Sequence, residues 1–204
     1  MAYFNGKKIL NAPVTVVEVN GYDEGYAQGK EVERIAFWEQ FQNQGKREYY
    51  NYAFYGSFAW KDNIYDPMYP IVTKNGNAVF QQSGITDTRV PVDLSGCVTG
   101  TATSTFDGCS NLKTIFKLIV PAGLKYANVF RGCTALENIT FEGEIGNSIS
   151  FADSPKLSYT SLLNIIEHLA TVSTTQTLNI GTGNIGKLMA SEIAVATQKG
   201  WSVV

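Results

Sequence analysis

The sequence predicts a mixed α/β (α+β) fold, arranged as a short repeat solenoid between an N-terminal strand–helix cap and a C-terminal helix–strand cap. Three observations predict it. Aromatic residues recur at Phe80, Phe106, Phe130 and Phe151, separated by 26, 24 and 21 residues. Two of the segments that they open agree position by position. The flanks carry single strand and helix patterns in place of the repeat.

The first part spans 1–70. Residues 13–19 (Pro-Val-Thr-Val-Val-Glu-Val) are β-branched and read as a strand, followed by an Asn20-Gly21 turn. A helix is expected over 23–44. Its apolar residues Val32, Ile35, Trp38 and Phe41 recur at helical spacing, and Gly45 stops it. Beyond it lies an aromatic stretch with Tyr50, Tyr52, Tyr55, Trp60, Tyr65 and Tyr69, closed by Pro67 and Pro70. These six aromatics are the candidate contact surface, because large aromatic side chains dominate binding hot spots. Their competing role is to cover the open apolar end of the repeats. Gly21, Gly25 and Gly29 stand four apart. They are either a frayed helix start, weakened by about 1 kcal/mol per glycine relative to alanine, or a face that lets a second helix approach closely, as between copies of the chain.

The second part spans 71–204 and holds the repeats. Phe106-Asp-Gly-Cys109-Ser-Asn-Leu112-Lys-Thr-Ile115 overlies Phe130-Arg-Gly-Cys133-Thr-Ala-Leu136-Glu-Asn-Ile139. A first copy, Phe80-Gln-Gln-Ser83-Gly-Ile85, drifts by a residue, and a fourth, Phe151-Ala-Asp-Ser154-Pro-Lys-Leu157, then leaves the pattern. Periods of about 20–29 residues are those of leucine-rich coils, none of which buries its apolar face alone. Phe and Leu point inward, the small residue at the fourth position fits where bulk would not, and Ile opens a strand. Cys109 and Cys133 then read as small buried hydrophobes, with a disulfide between stacked coils or a reactive thiol as the alternatives.

From about 158 a C-terminal cap is expected. Leu162, Leu163, Ile165, Ile166 and Leu169 fit a helix over 159–170. Residues 177–180 read as a strand, Gly181 to Asn184 as a turn, 190–199 as a helix stopped by Gly200, and 201–204 as a final strand.

Charge and cysteine usage exclude several function classes. With 16 basic and 18 acidic residues the net charge is −2, so no field of one sign draws the chain to nucleic acid. No stretch is apolar enough for membrane insertion, and the opening Met-Ala-Tyr-Phe-Asn-Gly-Lys-Lys has no signal core. Three cysteines, at 97, 109 and 133, and a single histidine lack the spacing of a zinc site or a disulfide framework. His168 stands among leucines and isoleucines with no partner to make it a catalytic base; a Cys–His pair is only formally available. Gly181-Thr-Gly183-Asn-Ile-Gly186 has dinucleotide-loop spacing, but too little chain follows it for a nucleotide-binding sheet. No catalytic residue, cofactor or metal ligand is nominated.

The two matching repeats resemble the Phe-x-x-Cys-x-x-Leu-x-x-Ile repeat of BspA-like leucine-rich repeat proteins. The whole chain is similar to small leucine-rich proteins encoded by phages and prophages of gut Firmicutes. The flanking pieces that carry this likeness are Gly21-Tyr-Asp-Glu-Gly-Tyr-Ala-Gln-Gly-Lys30, Phe37-Trp38-Glu-Gln-Phe41-Gln-Asn and Tyr50-Asn-Tyr52-Ala-Phe54. Leu157-Ser-Tyr-Thr-Ser-Leu-Leu-Asn-Ile-Ile166 and Ala196-Thr-Gln-Lys-Gly-Trp201 complete it. The resemblance implies a non-enzymatic virion protein, a tail, baseplate or fibre accessory, made in the host cytoplasm without a signal peptide. Its partners would be other virion proteins and a host-surface protein or glycan. Oligomeric state is not legible; a trimer is the analogy that tail fibres offer. The alternatives are a bacterial cell-surface adhesin and a glycan-active depolymerase. The latter needs two carboxylates about 5–9 Å apart.

Overall fold

The segments opened by Phe80, Phe106 and Phe130 make the same backbone turn. Two residues before Phe80, Phe106 and Phe130 the chain takes a left-handed conformation, at Ala78, Ser104 and Asn128, with φ of 54°, 54° and 56°. Two residues after, it does so again at Gln82, Gly108 and Gly132. The second site explains the glycine: a Cβ at Gly132 would lie 3.3 Å from Gly108 Cα, on a φ that side chains rarely adopt. These turns lie one above another. Phe80 N–H donates to Thr105 O (2.8 Å), Phe106 N–H to Val129 O (3.0 Å) and Phe151 N–H to Asn179 O (2.6 Å). Backbone groups exposed by the turns are thus satisfied by the neighbouring segment.

The computed structural model describes residues 2–4, 7–9, 47–49, 71–73, 77–88, 91–97 and 100–204. The chain divides into two compact units, Met1–Arg47 and Glu48–Val204. In the first, β1 (Ala2–Phe4) and β2 (Lys7–Ile9) form an antiparallel pair with Phe4 opposite Lys7. The strand expected over 13–19 and the helix expected over 23–44 lie outside the described residues.

Among the described residues the remaining strands are β3 (Arg47–Tyr49), β4 (Ile71–Thr73), β5 (Pro91–Asp93), β6 (Thr101–Thr103), β7 (Thr114–Val120), β8 (Lys125–Ala127), β9 (Asn138–Gly143), β10 (Ile149–Ser150), β11 (Gln176–Asn179) and β12 (Trp201–Val203). They form a five-stranded sheet, β3-β4-β5-β7-β9, a two-stranded sheet, β6-β8, and a three-stranded sheet, β10-β11-β12. The pairs β4–β5, β5–β7, β7–β9, β6–β8, β10–β11 and β11–β12 are all parallel. Among the described residues there are three helices, α1 (Tyr159–Glu167), the four-residue α2 (Thr182–Ile185) and α3 (Ala190–Gln198).

The expected short leucine-rich-repeat solenoid between an N-terminal strand–helix cap and a C-terminal helix–strand cap is therefore corrected. Among the described residues the strands fall into separate small parallel sheets, and helices are few. The physical reason is register. The repeat specifies inward side chains at the turns, but it does not force each strand onto one continuous ladder. Between β7 and β9 the pairing slips: Ile115 opposes Ile139, yet Leu118 opposes Phe141. After Phe151 the chain pairs within the β10-β11-β12 sheet. The predicted turn at 181–184 is also corrected in part, since Thr182–Ile185 closes a helical turn there.

The core is nonetheless assembled from the repeated positions. Phe80, Phe106, Phe130 and Phe151 are all buried and their rings stack, with centroids 5.1, 5.9 and 4.5 Å apart. Leu112, Leu136 and Leu157 are fully buried, as are Ile115 and Ile139 at the strand starts. Burying a side chain of this size stabilises by about 1.5–3 kcal/mol. Helix α1 packs Leu162, Ile165 and Ile166 against this core.

Helix α1 also finishes the five-stranded sheet. Ser158 caps it, its hydroxyl accepting from Ser161 N at 3.3 Å. Ser161 Oγ accepts from Ile139 N at 3.0 Å and donates to Glu137 O at 3.3 Å, and Asn164 Oδ1 accepts from Phe141 N at 2.7 Å. Two side chains of the helix thus stand where another strand would supply carbonyls to β9. At the other end of α1, Lys199 Nζ donates to Ile166 O (3.1 Å) and Glu167 O (2.7 Å), placing a cation on the carbonyl end of the helix.

Candidate interaction surface

The aromatics nominated for contact, Tyr50, Tyr52, Tyr55, Trp60, Tyr65 and Tyr69, lie outside the described residues, as do Gly21, Gly25 and Gly29.

The groups with chemical potential are largely engaged inside the fold. Cys109 and Cys133 are fully buried thiols. Cys109 Sγ donates to Phe80 O at 2.8 Å and Cys133 Sγ to Phe106 O at 3.1 Å, each one turn back along the stack. Burial pushes the Cys109 thiol up to about 11, outweighing its hydrogen bonds with Ser83, and pushes Cys133 up as well. Neither is poised as a thiolate nucleophile. Ser154 occupies the same column in the fourth segment, where its hydroxyl is buried without a hydrogen-bond partner.

On the residues after Phe80, Phe106 and Phe130 runs a polar ladder. Asp107 accepts from Gln81 Nε2 (2.9 Å), Arg131 Nε (2.8 Å) and Arg131 Nη2 (2.5 Å). Burial alone would raise the Asp107 carboxyl, but the hydrogen bonds from Arg131 and Gln81 and the guanidinium charge outweigh it and hold it below its ordinary value. The bidentate fork fixes both residues across a turn boundary.

His168 caps α1, and its Nδ1 lies 2.8 Å from Asn164 O, so that nitrogen carries the proton. The glycine-rich 181–186 loop is tied into the neighbouring turn. Asn184, fully buried, donates to Ser154 O and Ile180 O, both at 2.9 Å. Lys187 Nζ reaches Pro155 O (3.0 Å), Leu157 O (2.7 Å) and Asn184 Oδ1 (2.7 Å). The loop's polar groups are thus taken up by carbonyls of the fold.

What faces outward is different in kind. Among the described residues the exposed large apolar side chains are Phe116, Tyr159, Met189, Val195 and Val204. Tyr159, Met189 and Val195 gather around Glu192. The phenol of Tyr159 hydrogen-bonds Glu192 Oε1, and Glu192 Oε2 accepts from Met189 N at 2.8 Å. Met189, Glu192 and Val195 follow one another at three-residue steps along one face of α3. Phe116 stands alone on β7, 53% exposed, at the register slip against β9.

No family model, curated protein or solved structure matches the chain.

None of the five exposed apolar residues was singled out by sequence reasoning. For Phe116 a signal existed. In Thr114-Ile-Phe-Lys-Leu-Ile-Val120, strict alternation from Ile115 would place Lys117 inside and Leu118 outside. Leu118 can be buried only if the phase slips by one residue, and Phe116-Lys117 is where it slips. Among the described residues no helix is long and apolar enough to cross a membrane, and no three His, Cys, Asp or Glu residues gather as metal ligands would.

Proposed function

We propose that the protein is a non-enzymatic structural and binding component of a phage particle: a tail, baseplate or fibre accessory that contacts other virion proteins and a host-surface protein or glycan. One observation, made of the described residues, supports the non-enzymatic part. The Cys109 and Cys133 thiols, the amide of Asn184 and the ammonium of Lys187 donate to backbone carbonyls, and the Asp107 carboxylate accepts from Arg131 and Gln81. The virion part rests on the resemblance of the flanking sequence pieces, and the exposed apolar residues supply contact points for partners.

The test is compositional. Particles purified from an induced lysogen carrying the gene should contain this chain at a fixed ratio to the major tail proteins, measured by quantitative mass spectrometry. Its absence from washed, infectious particles overturns the reading.

A further inference from the structure

A single exposed apolar side chain is ordinary on a protein surface. Phe116 is distinguished by how it is held. Between Ile115–Ile139 and Leu118–Phe141, two residues of β7, Phe116 and Lys117, oppose one of β9, Thr140. This is a β-bulge in a strand paired on both sides, a device that re-aims side chains and leaves backbone groups without ladder partners. Here those groups are met by side chains from both flanks. Phe116 N–H donates to Thr88 Oγ1 at 3.0 Å, and Thr140 Oγ1 donates to Phe116 O. Thr88 is fully buried. Two threonines, 28 and 24 residues away in the chain, therefore hold one phenylalanine outward. Beside it, Lys117 Nζ and Glu142 Oε2 form an ion pair at 2.7 Å, with side chains 39% and 55% exposed.

We propose that Phe116 is the stacking platform of a saccharide subsite, with Lys117 and Glu142 supplying its donor and acceptor. A pyranose has an apolar C–H face and a hydroxyl rim. The C–H face carries positive partial charge and suits the negative face of a phenyl ring. The rim needs donors and acceptors together, and the ion pair offers one of each. An exposed ion pair is weakly coupled, so hydroxyls can enter it at little cost. A protein partner fits less well. Protein interfaces have an apolar centre of several residues, whereas the other exposed large apolar residues described here lie on α1, α3 and after β12, not on β5, β7 or β9. The subsite deepens the proposed binding role; its chemistry does not depend on the chain being part of a particle.

The experiment uses the full-length chain, ¹⁵N-labelled, titrated separately with methyl β-glucoside, methyl β-galactoside and the methyl glycoside of N-acetylglucosamine. A single ring on an open surface binds weakly, so each is carried to about 50 mM. At least one sugar is expected to move the amides of Phe116, Lys117, Thr140 and Glu142 together. Phe116→Ala weakens that binding about tenfold or more, while Phe116→Trp keeps it. Lys117→Ala, which leaves the ring in place, weakens it in part and serves if Phe116→Ala loses its dispersed spectrum. The proposal is overturned if no sugar moves these amides, if the shifts map elsewhere, or if the variants bind as the parent does. Binding by a chain absent from particles removes only the virion reading. A chain present in particles that binds none of the three sugars removes only the subsite.

Discussion

Phe106 is held between two nearly parallel rings, Phe80 at 5.1 Å and Phe130 at 5.9 Å. Phe106→Ala should open a cavity that neither neighbour can fill without leaving its own turn. The expected loss is about 3–5 kcal/mol, read by chemical denaturation, with Phe106→Leu losing clearly less. Asp107 beside it gives a pH signature. Its carboxyl lies below its ordinary value of 3.8 in the folded chain, so its contribution is complete above that value and is lost as pH falls through the lower, folded one. Asp107→Asn should therefore be less stable than the parent at neutral pH, and should lose less further stability in a series descending from pH 5 to pH 2. An equal acid slope in both proteins would contradict the role given to this carboxylate. At this scale the sequence was readable where a residue's own type matters, as for the Phe, Cys and Leu columns. It was opaque where conformation is imposed from elsewhere. Ala78, Ser104 and Asn128 adopt positive φ without being glycine, because neighbouring turns hold their peptides by hydrogen bonds such as Ala78 N–H to Thr103 O and Ser104 N–H to Ala127 O, both 2.7 Å.

Among the elements, α1 and the last strand were legible because periodicity and length agreed. The predicted 159–170 helix contains Tyr159–Glu167, and its last expected turn gives way because Leu169 bridges Ile145 as an extended residue. The β1–β2 pair was overlooked, although Asn5-Gly6 between Phe4 and Lys7 is the usual mark of a two-residue hairpin connection. The sheet arrangement was legible only in part: the repeat implies that Ile115 and Ile139 open neighbouring paired strands, as they do, whereas the division into separate sheets was not readable, and the bulge is held by Thr88 and Thr140, 28 and 24 residues from Phe116. What α1 does to β9 can be tested by one atom. Ser161→Ala leaves the Ile139 N–H buried without its acceptor, and the chain should lose about 1–3 kcal/mol. Ser161→Thr, which restores a hydroxyl, should recover part of it. A neutral Ser161→Ala variant in thermal unfolding would mean that the helix merely lies near the strand.

For the larger unit as a whole, the three cysteines report on cooperativity. Cys97, Cys109 and Cys133 are all buried, and the last two belong to the core that the stacked rings define. Their reaction with a thiol reagent at pH 8 should be slow in the native protein and complete in denaturant. The denaturant midpoint for labelling should coincide with that for loss of the far-ultraviolet signal, as one cooperative transition requires. Fast labelling of the native chain would show that the turns open separately.

The side chains of Ser161 and Asn164 have a consequence beyond stability. Parallel turns stacked by shared hydrogen bonds have no intrinsic last member: a strand with open N–H groups is a template for the next chain it meets. By meeting Ile139 and Phe141 with a hydroxyl and an amide, the helix closes the β9 edge of the five-stranded sheet. It is an edge seal built from side chains, and it leaves those two β9 N–H groups closed to pairing by a neighbouring chain.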